Sequence, residues 1–427
     1  MPYEANNLLP MKLSFLQLIS IPIVIAILFG VVLFSETEPE LESTVSVAEA
    51  MGGGNQEGYL QATGPRDFVF PDDHGAHPGY KTEWWYYTGN VFTAEGRQFG
   101  YQFTIFRNQL SPPTEISTGI GDSTETGDSS EHETPTDSID PKKSSEDDWS
   151  TDQLYLAHFA ISDVAEADHV FEERFSRGAA GLAGAEIDPY RVWLENWSIE
   201  RLPNSGENDQ SFPMRLHGEM SDGTAIDLKL QPEKPLIFHG DQGYDQKGFD
   251  SGNASYYISF TRMETQGEIV KDGKVYHVTG NSWMDHEWST SALDSGQTGW
   301  DWFSIQLSNG YDLMYYQIRN ADASQQPQTT GTLVDPLGNT IDLEELEVIL
   351  DILEYWQSPH SGSRYPKRWT LKMPELDIYL ELGTLFDDQE MRVSVQYFEG
   401  NLGVSGQMRG KEVSGTGFIE MTGYEQD

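Results

Sequence analysis

The amino-acid sequence predicts an all-β protein made of two antiparallel β-barrels. Three observations support this fold class. The chain has 427 residues, which is more than one hydrophobic core usually organises. Short β-prone segments alternate with two-residue turns that contain glycine, a strong local signal for antiparallel hairpins. Aromatic residues make up 12% of the chain, so two cores can be filled although only 37% of the residues are hydrophobic.

The hairpin turns are the most specific of these signals. Each lies between two segments that are rich in β-branched and aromatic residues, and their regular recurrence indicates up-and-down meanders. The predicted turns are Glu95-Gly96, Asp222-Gly223, Asp272-Gly273, Asn309-Gly310 and Arg409-Gly410.

The first 35 residues predict a membrane anchor or a signal segment. Leu13–Phe34 contains no charged side chain and is long enough to cross a bilayer, which takes about 20 apolar residues. Lys12 precedes this stretch and glutamates follow it, so the positive-inside tendency places the rest of the chain outside the cytoplasm. The alternative is a signal peptide whose cleavage leaves a secreted or periplasmic protein.

Two further segments contain few bulky residues to bury. Residues 36–58 are acidic and then glycine-rich, which predicts a disordered tether, and the folded region is expected to begin near Tyr59. Ser111–Ser150 is rich in Ser, Thr, Asp, Glu and Pro, so burial cannot offset its ordering entropy. We expect it to be a disordered acidic insert between two strands.

One or two short helices are expected beside the barrels. The best candidate is Leu343–Trp356, where leucines and isoleucines recur at spacings of three and four residues. Two comparable sets of strands flank the segment Glu268–Gly273, so the predicted domains are 59–270 and 271–427.

Composition excludes several classes of function. The net charge of −43 argues against binding to nucleic acid, which requires clustered Lys and Arg. The chain has no cysteine, which removes disulfides, thiolate metal sites and cysteine nucleophiles. It also lacks nucleotide-binding and nucleophile-elbow motifs. We therefore expect no cofactor, and no protein partner is indicated.

The first candidate cluster combines a carboxylate with aromatic rings. In the segment 83–87, strand alternation sends Glu83, Trp85 and Tyr87 to one face of a strand and Trp84 and Tyr86 to the other. One of these faces must line a barrel interior, so the first three residues are candidates for substrate binding. A structural carboxylate at a barrel rim is the alternative. The nearby histidines at 74 and 77 lack a third histidine, so no metal site is predicted.

The second candidate cluster contains acids, an imidazole and several indole rings. Its members are Asp285, His286, Glu287 and Trp288, followed by Trp300 and Trp302. Apolar surroundings raise the pKa of a carboxyl group towards that of a general acid, and indole faces stabilise a nearby cation. By alternation the two acids share one side of the strand, whereas His286 and Trp288 share the other. The alternative is a structural network that closes the second barrel.

These motifs resemble the AttH and carotenoid 1,2-hydratase family of double lipocalin-like proteins, some of which are described as secreted hydrolases. The resemblance runs from about Phe70 to Tyr424 in many ordered blocks. Those blocks include His74-Gly75-Ala76-His77, Glu83-Trp84-Trp85-Tyr86, His158-Phe159-Ala160-Ile161-Ser162-Asp163, Phe238-His239-Gly240, Trp283-Met284-Asp285-His286-Glu287-Trp288, Gly299-Trp300-Asp301-Trp302-Phe303 and Phe418-Ile419-Glu420-Met421.

The resemblance implies an enzyme that adds water to an alkene of an apolar isoprenoid or lipid by protonation and capture of the cation, without a cofactor. It places functional residues at His286 and Trp288, and a tyrosine and an acid on the following strand. Tyr315 aligns with that tyrosine, whereas Gln317 stands at the acid. A glutamine amide cannot act as a general acid, so Asp285, Glu287 or Asp301 would have to supply the proton.

Three hypotheses therefore remain open. The first is a hydratase or hydrolase with Asp285, His286, Glu287, Trp288 and Tyr315 as catalytic residues. Its substrate would bind against Glu83, Trp85, Tyr87, Trp300, Trp302 and Gln317. The second is a carrier or sensor of a hydrophobic small molecule, because fold does not fix function. The third is an envelope scaffold.

Overall fold

The computed structural model describes residues 56–113, 151–202, 212–250, 252–291, 293–294, 296–322, 328–343 and 346–424. Within these ranges every regular element is a β-strand, apart from two three-residue 3-10 helices, Asp72–His74 and Pro374–Leu376. The predicted all-β class is therefore confirmed. No helix in the same ranges has the length and hydrophobicity that a bilayer crossing requires.

The predicted N-terminal membrane segment lies outside the described residues, as does most of the tether and of the acidic insert.

The strands form two separate antiparallel sheets. The first sheet consists of β1 (Thr82–Phe92), β2 (Gln98–Gln109), β3 (Gln153–Asp163), β4 (Asp168–Arg177), β5 (Ala183–Ile187), β6 (Tyr190–Leu194), β7 (Trp197–Arg201), β8 (Met214–Glu219), β9 (Ala225–Pro232), β10 (Ile237–Phe238), β11 (Tyr244–Gln246), β12 (Ala254–Lys271) and β13 (Lys274–Ser289). The second sheet consists of β14 (Gln297–Leu307), β15 (Asp312–Asn320), β16 (Gln328–Val334), β17 (Thr340–Asp342), β18 (Ile349–Gln357), β19 (Arg364–Met373), β20 (Ile378–Thr384), β21 (Glu390–Arg392), β22 (Gln396–Met408) and β23 (Lys411–Thr422).

Neighbouring strands in each sheet are mostly consecutive in the chain. The first sheet runs β4-β3-β2-β1-β13-β12-β9-β8-β7-β6-β5, and the short strands β10 and β11 also pair with β12. The second runs β17-β16-β15-β14-β23-β22-β20-β19-β18, and β21 pairs with β22. Meander connections of this kind give each strand a hydrophobic face towards the inside and leave the other face free.

Both sheets curl until strands that are distant in the sheet share one core. The ring centroids of Phe103 on β2 and Trp197 on β7 lie 6.0 Å apart, although five other strands lie between β2 and β7 along the sheet. In the second sheet, Phe303 on β14 and Trp369 on β19 lie 5.5 Å apart in the same way. The two sheets are therefore barrel-like, as the sequence predicts.

All five predicted hairpin turns are confirmed, since each joins two paired strands. In Asp272-Gly273 and Arg409-Gly410 both turn residues adopt positive φ, at 53° and 70° and at 54° and 73°. That conformation matches the right-handed twist of the flanking strands, and glycine adopts it without steric cost.

The predicted helix at Leu343–Trp356 is wrong, because β18 occupies Ile349–Gln357. Leu350, Ile352 and Trp356 pack against the second core, whereas Leu353 is half exposed. The observed burial follows the two-residue period of a strand, and the apolar residues also happen to recur at helical spacing.

The division between the sheets differs from the predicted domain boundary. The turn Asp272-Gly273 joins β12 to β13, and both strands belong to the first sheet. The chain passes to the second sheet between Ser289 and Gln297. β13 therefore contributes its acids and indoles to the first sheet, at its boundary with the second.

The outer faces of the two sheets pack against each other through an aromatic cluster. Trp84, Tyr86, Tyr257 and Trp283 come from the first sheet, and they meet side chains of β14, β15 and β23. The contributions of the second sheet are Trp302, Met314, Tyr316, Ile318 and Phe418. This inter-sheet face positions the site described next.

Candidate functional site

Strand alternation separates the predicted site residues into three compartments. A pocket between the sheets is lined by Asp285, Glu287, Trp300 and Trp302. The interior of the first sheet and the polar cluster at its end hold Glu83, Trp85, Tyr87, His286 and Trp288. The interior of the second sheet holds Tyr315, and Gln317 faces Asp301 on that side. The predicted residues therefore do not form one site.

The inter-sheet pocket is aromatic with a few convergent polar groups. The space between its walls, with the solvent at its open mouth included, is about 1050 Å³. A mostly apolar lining with a few polar groups is typical of sites that bind small molecules. Its apolar wall comes from both sheets, and its main members are Trp84, Phe106, Leu156, Leu293, Trp300 and Ile318.

Asp285 is the acid on the pocket wall whose protonation is most affected by its surroundings. Its side chain is buried, and its carboxyl oxygens accept hydrogen bonds from Trp283 at 2.6 Å, from Tyr257 at 2.7 Å and from Ser259. Burial raises the pKa of Asp285 to about 7, although those hydrogen bonds oppose the rise. A substantial fraction of Asp285 is therefore protonated near neutral pH, so it can donate a proton.

Glu287 lies two residues further along the same face of β13 and is ion-paired. Lys247 approaches Glu287 at 2.8 Å and Asp245 at 3.0 Å. Burial by itself lowers the pKa of Lys247, but the two carboxylates raise it above its usual range. Lys247 therefore stays cationic and acts as a fixed positive charge in the lining of the pocket.

The second sheet contributes another acid. Glu420 on β23 accepts a hydrogen bond from the indole of Trp300 at 3.2 Å. Burial, with smaller contributions from the charges of Glu287 and Asp285, raises the pKa of Glu420 to about 7, although the hydrogen bond from Trp300 opposes the rise. Each sheet thus presents one carboxyl group that titrates near neutral pH.

The remaining polar lining was missed by the sequence analysis. Lys247, His158, Tyr316, Tyr397 and Glu420 all line the pocket. His158 and Glu420 lie in segments that carry the family resemblance, but only the tertiary structure brings β3 and β23 together. The sequence analysis placed Trp84 and Tyr86 on the face of β1 opposite to Glu83. That opposite face is the one that lines the pocket.

Tyr315 and Gln317 lie on the face of β15 that points away from the pocket, whereas Tyr316 and Ile318 point into it. Gln317 instead donates to Asp301 at 3.0 Å, and Asp301 is also bound by Arg319 and Tyr424. Gln317 therefore lies outside the pocket. Its lack of an acidic proton does not affect proton donation in the pocket.

His286 and Glu83 belong to a buried polar cluster at the end of the first sheet. Oε1 of Glu83 accepts from His77 at 2.7 Å and from His286 at 2.8 Å, and Oε2 accepts from Arg107 at 2.8 Å. Asp73 holds the other ring nitrogen of His77 at 3.0 Å. Burial opposes ionisation of Glu83, but Arg107 and the histidines hold its pKa well below the usual range.

The donor atoms of His77, Glu83 and His286 lie within 4.8 Å of one another, so these residues could hold a cation. Binding would replace two short hydrogen bonds, and Arg107 already neutralises the carboxylate. His74, considered in the sequence analysis, instead stacks on Phe212 at 3.9 Å. The donor set therefore fits a hydrogen-bonded network better than a metal centre.

A model of the AttH-like family matches residues 61–424 of this chain. A kievitone hydratase of Fusarium solani subsp. phaseoli is 25% identical over 215 residues, which cover 47% of this chain and 57% of that protein. The dehydratase asqC of Emericella nidulans is 21% identical over 224 residues, which cover 50% of this chain and 62% of that protein. The chain thus matches less than two thirds of the length of these curated relatives.

Two crystal structures are similar to the whole fold. A protein of Nitrosomonas europaea described as an AttH has 28% identity and a TM-score of 0.67, with coverage of 86% of this chain and 100% of that one. Kievitone hydratase from Nectria haematococca has 14% identity and a TM-score of 0.60, with coverage of 86% and 96%. At 14% identity the second similarity concerns the fold alone.

Proposed function

The chain belongs to the AttH-like family, and from that premise we propose that it is a hydro-lyase that adds water to, or removes water from, an apolar substrate. The substrate would occupy the inter-sheet pocket. The names of two relatives, hydratase and dehydratase, denote opposite directions of this reaction. An isoprenoid- or lipid-like molecule, including a carotenoid-type polyene, suits the aromatic wall.

The observation that carries the proposal is the state of Asp285. A buried carboxyl group with a pKa of about 7 lies on the wall of an aromatic pocket. A general acid works best when its pKa is close to the operating pH. Asp285 would protonate the alkene in the hydration direction and the leaving hydroxyl in the dehydration direction.

The aromatic rings supply the second requirement of this chemistry. Protonation of an unactivated alkene leaves a carbocation, and Trp84, Trp300 and Trp302 line the same pocket as Asp285. Indole faces attract cations through the ring quadrupole, and this attraction grows when water is excluded. The rings would stabilise the cation until water adds to it or a proton leaves.

The ion pair between Lys247 and Glu287 would orient a polar end of the substrate. Both charged groups line the pocket together with its apolar wall. A substrate with one hydroxyl or carbonyl group would place that group here and its hydrocarbon part against Phe106 and Ile318. The predicted N-terminal anchor would keep the enzyme beside membranes that contain such molecules.

The first experiment asks what the pocket holds. The full chain is purified in mild detergent and analysed by native mass spectrometry. It is then incubated in isotopically labelled water with lycopene- or neurosporene-type polyenes and with isoprenoid tertiary alcohols. A product that gains one labelled water, or an alcohol that loses water, supports the hydro-lyase.

Loss of turnover in Asp285→Asn with retained binding would assign the proton donor. Turnover that survives Asp285→Asn would reject the assignment. Retained apolar ligand without any turnover would favour the carrier hypothesis.

A further inference from the structure

A second set of proton-carrying groups lies in the pocket wall. His158 on β3 and Tyr397 on β22 both line the pocket, and Glu173 on β4 lies behind His158 as its cross-strand partner. The first and third residues belong to the first sheet, and Tyr397 belongs to the second. These three residues therefore come from both sheets, and none of them is the proposed proton donor.

The three groups form an ordered hydrogen-bond chain. Nε2 of His158 lies 2.9 Å from Oε1 of Glu173, and Nδ1 is hydrogen-bonded to the hydroxyl of Tyr397. Ser394 fixes the carboxylate, since its hydroxyl donates to Oε1 at 2.6 Å and its backbone N–H at 3.2 Å. His158 and Glu173 are each held from two sides and Tyr397 ends the chain, so the order of the three groups is defined.

The ionisation of Glu173 decides the direction of these hydrogen bonds. Burial by itself raises its pKa, but the hydrogen bonds from His158 and Ser394 hold the pKa below its usual range. An ionised carboxylate only accepts, so Nε2 of His158 carries the hydrogen. In the neutral imidazole Nδ1 is then the acceptor, and the hydroxyl of Tyr397 donates to it. The phenolic oxygen keeps its own lone pairs for a donor in the pocket.

We propose that Tyr397, His158 and Glu173 form the relay that takes the proton from the water that adds to the substrate. This inference rests on the proposed hydro-lyase function. Tyr397 is the catalytic residue, because it contacts the water. His158 receives the proton, and Glu173 positions the imidazole and stabilises its charge, as a carboxylate does in hydrolytic triads.

The proton balance is complete without a further reactant. Asp285 gives its proton to one alkene carbon, and the π electrons form the new C–H bond. A lone pair of water forms the C–O bond to the cationic carbon. One O–H bond of that water breaks, its proton passes to the oxygen of Tyr397, and the proton of Tyr397 moves to Nδ1 of His158. Pocket water then returns a proton from His158 to Asp285.

The surroundings of Tyr397 favour a relay over a phenolate base. Its neighbours Glu399, Glu420 and Glu173 are all acids, and together with burial they raise the pKa of Tyr397 well above its usual range. A free phenolate would therefore be rare. Transfer of one proton to Tyr397 while another leaves for His158 avoids that state.

The first test needs no substrate. Long-range hydrogen–nitrogen NMR spectra of the full chain labelled with [15N]histidine report the tautomer of His158, which is assigned by its loss in His158→Gln. We expect hydrogen on Nε2, and in Tyr397→Phe we expect the Nδ1 signal to move towards that of a free acceptor nitrogen. Hydrogen on Nδ1 would overturn the relay.

The second test uses the hydro-lyase assay. We expect Tyr397→Phe to lower kcat by roughly 10²-fold, within the range for general acid–base groups, with KM nearly unchanged. The matched control is Tyr101→Phe, which removes a buried hydroxyl that bonds Ser282 inside the first sheet. Glu173→Gln should also lower kcat without changing KM. Loss of a purely structural contact would not lower kcat alone.

The two tests separate the possible failures. An inactive wild-type protein would refute the hydro-lyase, and the NMR spectra would still decide the order of the hydrogen bonds. An active wild-type protein in which Tyr397→Phe keeps the full kcat would refute the relay and leave the proposed function standing.

Discussion

Tyr257 donates its hydroxyl hydrogen to Oδ2 of Asp285 at 2.7 Å. The same hydroxyl oxygen accepts from the indole N–H of Trp302, on the second sheet, at 2.9 Å. A hydrogen-bond chain thus runs across the inter-sheet boundary and ends on the candidate acid. The acidity of Asp285 therefore depends on how the two sheets are docked.

Tyr257→Phe should move the pH dependence of turnover upwards. The hydrogen bond from Tyr257 lowers the pKa of Asp285, so its removal raises that pKa and keeps the acid protonated to higher pH. The measurement is the pH profile of kcat. Tyr256→Phe is the control, because the neighbouring hydroxyl bonds the backbone of Gly64 instead. A profile that moves downwards would contradict the assigned role.

Asp285→Asn should lower kcat by roughly 10²- to 10⁴-fold, because an amide has no acidic proton to donate. The side chain keeps its size, so ligand binding measured by native mass spectrometry should persist. Asp67→Asn, at an exposed position, is the matched control. Equal activity in the two variants would exclude Asp285 as the acid.

The same substitution should make the stability of the fold less dependent on pH. The pKa of Asp285 rises from 3.8 to about 7 on folding, so the native state binds its proton more tightly than the unfolded state. Stability is then greatest below pH 4 and falls as the pH rises to about 7.

Asparagine removes this loss. Between pH 4 and pH 8 the difference in unfolding free energy between the two proteins should shift in favour of Asp285→Asn by on the order of 2–4 kcal/mol. Urea unfolding across the pH range measures the difference, and parallel curves for both proteins would contradict it.

Asp312→Ala should weaken the docking of the sheets. Asp312 on β15 is fully buried, and it binds Arg262 at 2.6 Å and Lys234 at 2.7 Å, both from the first sheet. Removal of the carboxylate leaves two cations without their partner, which typically costs about 3–5 kcal/mol. Urea unfolding provides the measurement.

Asp351→Ala breaks a surface pair with Lys372 and should leave the unfolding free energy nearly unchanged. Equal effects of the two substitutions would indicate that the buried pairs do not stabilise the contact between the sheets.

Gly100→Ala should disturb the same boundary for a steric reason. A Cβ at this position of β2 would lie 1.7 Å from Oδ1 of Asn401 on β22. Relief of the overlap requires the buried Asn401 side chain to leave its hydrogen bonds or the sheets to move apart, and overpacking of this kind typically costs about 1–3 kcal/mol. Gly64→Ala, which meets no atom within 4 Å, is the control. The measurement is thermal unfolding, and Asn401→Ala should rescue much of the loss.

Local signals in the sequence predicted the fold class, the five turns and the faces of β1 and β13, because each depends on neighbouring residues in the chain. The same reasoning could not choose which face of β1 meets the pocket, since both faces are aromatic. It also predicted a helix at 343–356, where the structure has an edge strand. The apolar residues of this segment recur at spacings that fit both the period of a helix and that of a strand.

The membership of the pocket could not be predicted from local patterns. His158 is 239 residues from Tyr397 in the chain, and only the packing of one sheet on the other brings His158 to the hairpin that carries Tyr397 and Glu420. The placement of Tyr315 and Gln317 depends on which face of β15 turns towards the first sheet. That choice is fixed by tertiary contacts such as the one between Tyr316 and Asp245, at 2.9 Å.

The alternation along β13 has a consequence for how this protein can change during evolution. Asp285 and Glu287 face the pocket, and His286, between them, faces the buried cluster around Glu83. Loss or gain of a single codon upstream in this strand would exchange the two sets, which would place imidazole where the carboxyl groups stand. Such an indel would disable the acid and break the cluster at once, so β13 should tolerate substitutions far better than changes in length.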